Sequence, residues 1–188
     1  MSLVGIYNMA LVPLGVDRVM DPAEETEPAR KCNELYPYIR DDELSQHPWN
    51  FALERIACAR TTSTPLYGYS YEYQLPSDSL RIIDIETSAD SFKREGDKIL
   101  TDVTTLYVRY IKQITDTNEF SPSFKSVLAA RLKFELCFSL TNSRTMTEEL
   151  YAALTKIRRI AKGVDAQEGT PENITSSRIT NCRTGSIY

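Results

Sequence analysis

The sequence has few of the residues from which most catalytic and metal sites are built. It contains one histidine, His47, one tryptophan, Trp49, and four cysteines that stand far apart along 188 residues. No CxxC spacing or His/Cys cluster is present, so we expect neither a zinc site nor a redox pair, and we interpret the cysteines as reduced thiols. The seven glycines are scattered, which excludes a glycine-rich phosphate-binding loop. The sequence therefore predicts no cofactor and no metal.

Long apolar runs are also missing. No stretch approaches the roughly 18 apolar residues of a membrane span, and the N-terminus lacks the basic region and apolar core of a secretory leader. We therefore expect no contact with a membrane and assembly in the cytoplasm.

Catalytic side chains are equally scarce. A nucleophilic triad would depend on His47, which precedes Pro48 in a predicted boundary turn and which we interpret as structural. Neighbouring residues of a helix point about 100° apart, so adjacent carboxylates do not converge on one bond as glycoside hydrolysis requires. This applies to the pairs Glu24/Glu25, Asp41/Asp42 and Glu148/Glu149. We predict no catalytic residues and no enzymatic activity.

The charge of the chain is unevenly distributed. Residues 1–48 carry four basic and nine acidic side chains, a net charge of −5, whereas residues 123–162 carry eight and three, a net charge of +5. These segments either attract each other, within one subunit or between neighbours, or are simply solvated helix faces. The second segment ends in a basic cluster that suits the negative end of a helix dipole, and contact with DNA phosphates is the alternative. Its members are Lys156, Arg158, Arg159 and Lys162.

Apolar residues at three- and four-residue spacing predict four helices. The first ends at Gly15, and the second contains Pro37, where a kink or break is expected. The third begins at Ser121-Pro122, a capping residue followed by a first-turn proline. The fourth carries an apolar stripe and ends at Gly163. The members of that stripe are Met146, Leu150, Ala153, Leu154, Ile157, Ile160 and Ala161.

Residues 51–114 carry the alternating period of strands instead. Tyr69, Tyr71 and Tyr73 alternate with polar residues until Pro76 ends the run, and Gly96-Asp97 predicts a hairpin turn. With Tyr67, this segment has more tyrosines than a small core needs. We therefore expect some of them to face a neighbouring subunit.

Together these patterns predict an α+β fold that is mainly a helical bundle of about four helices. Residues 1–50 and 115–164 form the helical domain, and residues 51–114 form an inserted antiparallel β unit. Trp49 at the boundary is predicted to be a core anchor. Residues 165–188 are predicted to form an extended C-terminal arm. The arm has too few large apolar residues to order itself, so it either lacks a fixed structure or becomes ordered on a partner.

The ordered set of segments resembles the tail tubular protein A family, the head-to-tail adaptor rings of short-tailed bacteriophages. The resemblance rests on Asn8-x-Ala10-Leu11-x-x-Leu14-Gly15, on HPWNFA at residues 47–52, on YxLPxDxLRI at residues 73–82 and on the Gly96-Asp97 hairpin. These segments follow one another in the family's order over nearly all of the chain.

The resemblance implies a structural virion protein at the head–tail junction. Its copies would form a ring, a dodecamer, which binds the portal protein on one side and the tail nozzle protein, of the tail tubular protein B type, on the other. DNA would leave through the channel of the ring without specific binding, which suits an acidic protein. By region, the resemblance also implies that the C-terminal arm contacts the portal. The candidate partner-binding residues of the arm are Ile174, Ile179, Arg183 and Tyr188.

Two other functions stay open. A tail-associated glycan or peptidoglycan hydrolase predicts a convergent carboxylate pair in a cleft. A generic helical interaction module predicts a compact monomer that has no affinity for a portal.

Overall fold

Four helices form one layer of the structure, a computed structural model that describes residues 2–86 and 92–169. They are α1 (Leu3–Leu11), α2 (Glu27–Gln46), α3 (Pro122–Thr141) and α4 (Arg144–Ala166). α3 lies at the centre of this layer and packs against the other three. No helix within the described residues is long and apolar enough to cross a membrane.

The helix ends follow local sequence signals in most places. Ser121 caps α3 as predicted, because its Oγ accepts a hydrogen bond from the backbone N of Phe124 at 3.2 Å. Gly15, with φ of 75°, ends the short 3-10 turn that follows α1. α4 continues past Gly163 to Ala166, so the helix end predicted there is wrong.

The sequence predicts a kink or break at Pro37; α2 is continuous through this residue, so the second alternative, a break, is wrong. Proline removes one backbone hydrogen bond from a helix, but packing holds the turns on both sides of it. Tyr36 and Ile39 are buried, and the Tyr36 ring meets Tyr7 of α1 edge-on with centroids 5.6 Å apart. The apolar contacts of α2 offset the missing bond.

Within the described ranges, seven strands form two antiparallel sheets. The inner sheet, next to the helices, has the order β1 (Leu53–Ala57), β7 (Tyr107–Lys112), β4 (Ser79–Glu86). The outer sheet has the order β2 (Ala59–Arg60), β3 (Tyr71–Gln74), β6 (Lys98–Thr101), β5 (Phe92–Glu95). The predicted turn between β5 and β6 is confirmed, with Gly96 at φ of 63°.

The inner sheet is apolar on both faces because it lies between two cores. Val108 and Tyr110 of β7 pack against the outer sheet, whereas Ile111 joins the core on the helix side. Leu80 and Ile83 of β4 also pack on the helix side. The molecule thus has three layers: helices, inner sheet and outer sheet.

The prediction of a mainly helical bundle is therefore wrong. About 48% of the described residues are helical and about 20% lie in strands, and the inner sheet forms a wall of the helix-side core. The sequence underestimated the sheets because β1 and β2 lack clean alternation. β1 is an edge strand with little burial beyond its first two residues.

The prediction that Trp49 is a core anchor is confirmed. Its side chain is fully buried, and its ring lies 5.1 Å from that of Phe124 in α3 and 4.8 Å from that of His47. Its Nε1 donates a hydrogen bond of 3.0 Å to the carbonyl oxygen of Glu43. Trp49 thereby attaches the end of α2 to α3.

Candidate functional site

The tyrosines at the start of the outer sheet occupy different environments. Tyr73 is fully buried between the sheets, and its hydroxyl donates a 2.8 Å hydrogen bond to the carbonyl of Val103. Tyr71 is partly covered by the guanidinium of Arg60, which lies 4.0 Å from the centre of its ring. Both tyrosines therefore serve the fold.

Tyr67 and its neighbour Leu66 are exposed. They lie in the segment between β2 and β3, residues 61–70, which we call the tyrosine loop. Leu66 is 100% exposed and Tyr67 is 87% exposed, next to Gly68 with φ of 87°. Two large adjacent side chains at the tip of a loop form the most exposed apolar feature of the described residues.

Hydrogen bonds hold both ends of the tyrosine loop. Thr61 and Ser63 each donate a side-chain hydrogen bond of 3.0 Å to the carboxylate of Glu72. Ser70 donates from its backbone N and its Oγ to Asp102, at 2.8 and 2.9 Å. Because both ends of the loop are held, its tip loses less conformational entropy on binding.

Beneath the tyrosine loop lies an open cavity of about 290 Å³. Two carboxylates, Glu72 and Glu95, line it, and a larger cavity of about 580 Å³ beside the inner sheet is lined by another pair, Asp84 and Glu86. The apolar lining of the first cavity consists of Pro65, Leu66, Tyr67, Tyr69 and Leu100.

Neither carboxylate of the first cavity has the surroundings of a general acid. Lys98 donates to Glu72 at 2.7 Å, and this bond is the main reason why the pKa of Glu72 is lowered. Glu95 lies 3.2 Å from Nζ of Lys93. The acid of a glycosidase needs a raised pKa, so that it still holds its proton at working pH. This cavity therefore offers no support for acid–base hydrolysis.

A second cluster lies where the helices meet the inner sheet. Asp165 of α4 is only 3% exposed, and its carboxylate accepts a hydrogen bond of 3.1 Å from the backbone N of Asn50. Nε2 of His47 lies 3.2 Å from the same carboxylate, and the Asn50 side chain donates to the Asp165 carbonyl. These bonds attach the last turn of α4 to the segment that follows α2.

The pair of His47 and Asp165 has no nucleophile beside it. Within the described residues, the adjoining cavity of about 290 Å³ has no hydroxyl or thiol side chain in its lining. Burial lowers the pKa of His47, although Asp165 acts in the opposite direction. Among the described residues, no serine or cysteine in this lining completes a triad with the pair. It serves to connect the two layers.

The third cluster is a buried ion pair between α2 and α4. Glu43, 2% exposed, accepts hydrogen bonds from Nε and Nη2 of Arg158. Nη1 of Arg131 in α3 lies 3.7 Å from Glu43 and 3.8 Å from Asp42. At this place, the acidic and basic segments attract each other within one subunit.

No group of three or more His, Cys, Asp or Glu side chains within residues 2–86 and 92–169 is placed to hold a metal ion. Cys137 is buried in the helix-side core, where it packs as a small apolar residue. Cys32 lies in the same core, and burial raises the pKa of its thiol to about 12. Such a thiol is unreactive near neutral pH.

The four candidate residues of the C-terminal arm, Ile174, Ile179, Arg183 and Tyr188, lie outside the described residues. Their role stays a prediction. Sequence reasoning singled out Tyr67 but missed Leu66, although a Leu-Tyr pair inside a run of Thr, Ser, Pro and Gly is a readable signal. It also missed Asp165.

No known family model matches the chain, and no curated protein is similar to it. The resemblance to tail tubular protein A therefore rests on the ordered segments alone.

Proposed function

We propose that this chain is a structural subunit of a phage tail, a head-to-tail adaptor of the tail tubular protein A type. Its copies form a ring, a dodecamer, between the portal protein and the tail nozzle protein at the head–tail junction of the virion. DNA leaves through the channel of the ring without specific binding, because the subunit carries a net charge of −4. The order of the family-like segments along the chain supports this assignment.

The observation that carries the proposal is the tip of the tyrosine loop. Leu66 and Tyr67 are almost fully exposed on a loop whose two ends are held by hydrogen bonds. Burying a leucine of this kind contributes about 2 kcal/mol, and tyrosine is enriched among the residues that dominate binding energy. A rigid apolar tip has little use in a lone monomer, but in a ring every subunit has a neighbour to receive it.

The two alternatives are less well supported. The hydrolase requires a protonated carboxylic acid in a cleft, and the surroundings of Glu72 favour the ionised form. A generic interaction module accounts for an exposed tip but not for the family-like order of segments. It differs from the adaptor in predicting no affinity for a portal.

The test is a mass measurement by light scattering, on the chain alone and mixed with the portal of its phage. We expect a discrete ring, or a complex that forms only with the portal and is lost on deletion of residues 169–188. The variant Leu66→Ser/Tyr67→Ser should weaken ring formation without unfolding the subunit. Its control is Tyr38→Ser, which removes a tyrosine that is 74% exposed on α2.

One result would contradict the adaptor proposal, and another would remove only the contact assigned to the tyrosine loop. A stable monomer that ignores the portal would favour the generic module. Assembly unchanged by Leu66→Ser/Tyr67→Ser would remove the tyrosine loop as a contact, and the ring would then depend on another surface.

A further inference from the structure

Besides the tyrosine loop, two exposed surfaces lie in the helical layer. The first is the connection between α1 and α2. This segment, residues 16–26, contains four carboxylates and one guanidinium, a net charge of −3. We call it the acidic loop. Met20 at its centre is 80% exposed. The charged members are Asp17, Arg18, Asp21, Glu24 and Glu25.

The acidic loop has a defined shape. The side chain of Asn8 in α1 donates to the carbonyl of Val19 at 2.8 Å and accepts from its backbone N at 2.9 Å. The carboxylate of Glu24 accepts from the backbone N atoms of Met20 and Asp21, at 2.8 and 2.9 Å. Val19 is buried beneath the loop, so Met20 is held outward.

The second surface is the outer face of α4, which we define as Ala153, Lys156, Arg159, Ile160 and Val164. The apolar stripe identified in the sequence includes Ala153 and Ile160, but the core does not cover these two residues. Ala153 is exposed, Ile160 is 54% exposed, and Val164 beside them is 46% exposed. α4 packs chiefly on α3, so the core covers only one side of a wider stripe.

Several charged side chains of these two surfaces form no ion pair within residues 2–86 and 92–169. Lys156 and Arg159 form no ion pair within the described part of the chain, unlike Arg158, which Glu43 binds. Asp17 and Glu25 of the acidic loop likewise have no hydrogen bond or ion pair within that part. The acidic loop thus combines an exposed apolar centre with carboxylates, whereas the outer face of α4 combines an exposed apolar centre with cations.

The two surfaces cannot meet within one subunit. Asn8 and Asn33 hold the acidic loop against α1 and α2, whereas α4 packs on α3, which lies between α1 and α4. Different patches that match each other form a heterologous contact, and its repetition closes a ring when the rotation from copy to copy completes a full turn.

We propose that the acidic loop of one copy binds the outer face of α4 of a second copy. Met20 packs against Ile160 and Val164, and the carboxylates of the loop face Lys156 and Arg159. This inference rests on the proposed function, since it names the contact between neighbouring subunits of the ring.

Charge reversal tests this contact. The loop variant is Asp17→Lys/Glu25→Lys, which spares the hydrogen-bonded Asp21 and Glu24, and the helix variant is Lys156→Glu/Arg159→Glu. Each variant alone should associate at least about 10-fold more weakly than the wild-type chain at low salt, because like charges then face each other. An equimolar mixture of the two should assemble again, since each loop then finds a complementary α4. Sedimentation equilibrium up to millimolar subunit concentration measures all of these.

The control is Arg144→Glu, a single charge reversal of the same kind at an exposed position about 22 Å along α4 from Arg159. It should leave association unchanged, and the fluorescence of Trp49 should show that every variant is folded. If each charge-reversal variant still forms the same ring as the wild-type chain, the proposed contact is wrong, although the adaptor ring itself stands. A wild-type chain that stays monomeric at millimolar concentration would also overturn it, while portal-dependent assembly would remain to support the adaptor function. Separate variants that weaken association but do not recover on mixing would exclude the heterologous pairing.

Discussion

Replacing Arg158 by methionine should destabilise the subunit more than any other single change of a surface cation. Arg158 binds the carboxylate of Glu43, whose side chain is 2% exposed. Methionine keeps much of the apolar stem of the arginine but removes its charge and its hydrogen bonds. The carboxylate of Glu43 then stays buried without its main partner.

The size of the effect follows from that burial. Removing one partner of a buried ion pair costs about 3–5 kcal/mol, because the remaining charge is no longer compensated. Arg131 stays 3.7 Å from Glu43 and the Arg158 side chain is itself 19% exposed, so we expect the lower end of this range. For a chain of 188 residues, a loss of about 3 kcal/mol lowers Tm by about 6–12 °C.

Urea unfolding followed by tryptophan fluorescence is the assay. Trp49 is the only tryptophan, and its indole donates to the carbonyl of Glu43, so the signal arises beside the perturbed pair. The control is Arg159→Met, one residue further along α4, which should change stability by less than about 0.5 kcal/mol. Both are compared at a concentration where the chain is monomeric.

A second variant separates the charge effect from lost packing. Glu43→Gln/Arg158→Met removes both charges, so it should be more stable than Arg158→Met alone by more than about 1 kcal/mol. If Arg158→Met matches Arg159→Met, or if the double variant is the less stable one, the reasoning about an uncompensated buried charge is wrong.

Three further predictions concern pH, a helix end and the thiols. Burial holds the pKa of His47 below the 6.5 of an exposed histidine, so the unfolded chain binds a proton at a higher pH than the folded chain. The free energy of unfolding should therefore fall as pH drops below about 6.5. His47→Gln should flatten this pH dependence in urea titrations. Asn142 ends α3 at φ of 54°, so Asn142→Ala should cost about 1 kcal/mol in urea unfolding and Asn142→Gly much less. Cys32 and Cys137 should resist a thiol reagent such as DTNB until urea unfolds the chain, and mapping by mass spectrometry that found rapid native labelling of either would contradict their burial.

The sequence predicted best those features that depend on a few neighbouring residues. The cap at Ser121, the hairpin turn at Gly96 and the anchor at Trp49 each follow from local chemistry. Pro37 shows the limit of the same approach, because its helix continues where local propensity predicts a break. Packing of the neighbouring turns outweighed one lost hydrogen bond.

The features that the sequence did not predict depend on partners far apart in the chain. Glu43 and Arg158 are 115 residues apart, and His47 and Asp165 are 118 residues apart. No spacing rule connects such residues. The division of the strands into two sheets has the same origin, since only the fold determines that the inner sheet has a core on each side.

The proposed contacts between subunits also give a reason for the packing and hydrogen bonds that join the helical layer to the inner sheet. The tyrosine loop belongs to the outer sheet, whereas the acidic loop and α4 belong to the helical layer. In the proposed ring, the same neighbouring subunits must receive both the tyrosine loop and the contact between the acidic loop and α4. If the β unit rotated against the helices, these two contacts could not form at the same time. Trp49 and Asp165 prevent this, because one packs into the helix-side core and the other bonds to the segment that leads into the inner sheet. In the proposed ring, the buried carboxylate of Asp165 would contribute to assembly by holding the two layers in one arrangement.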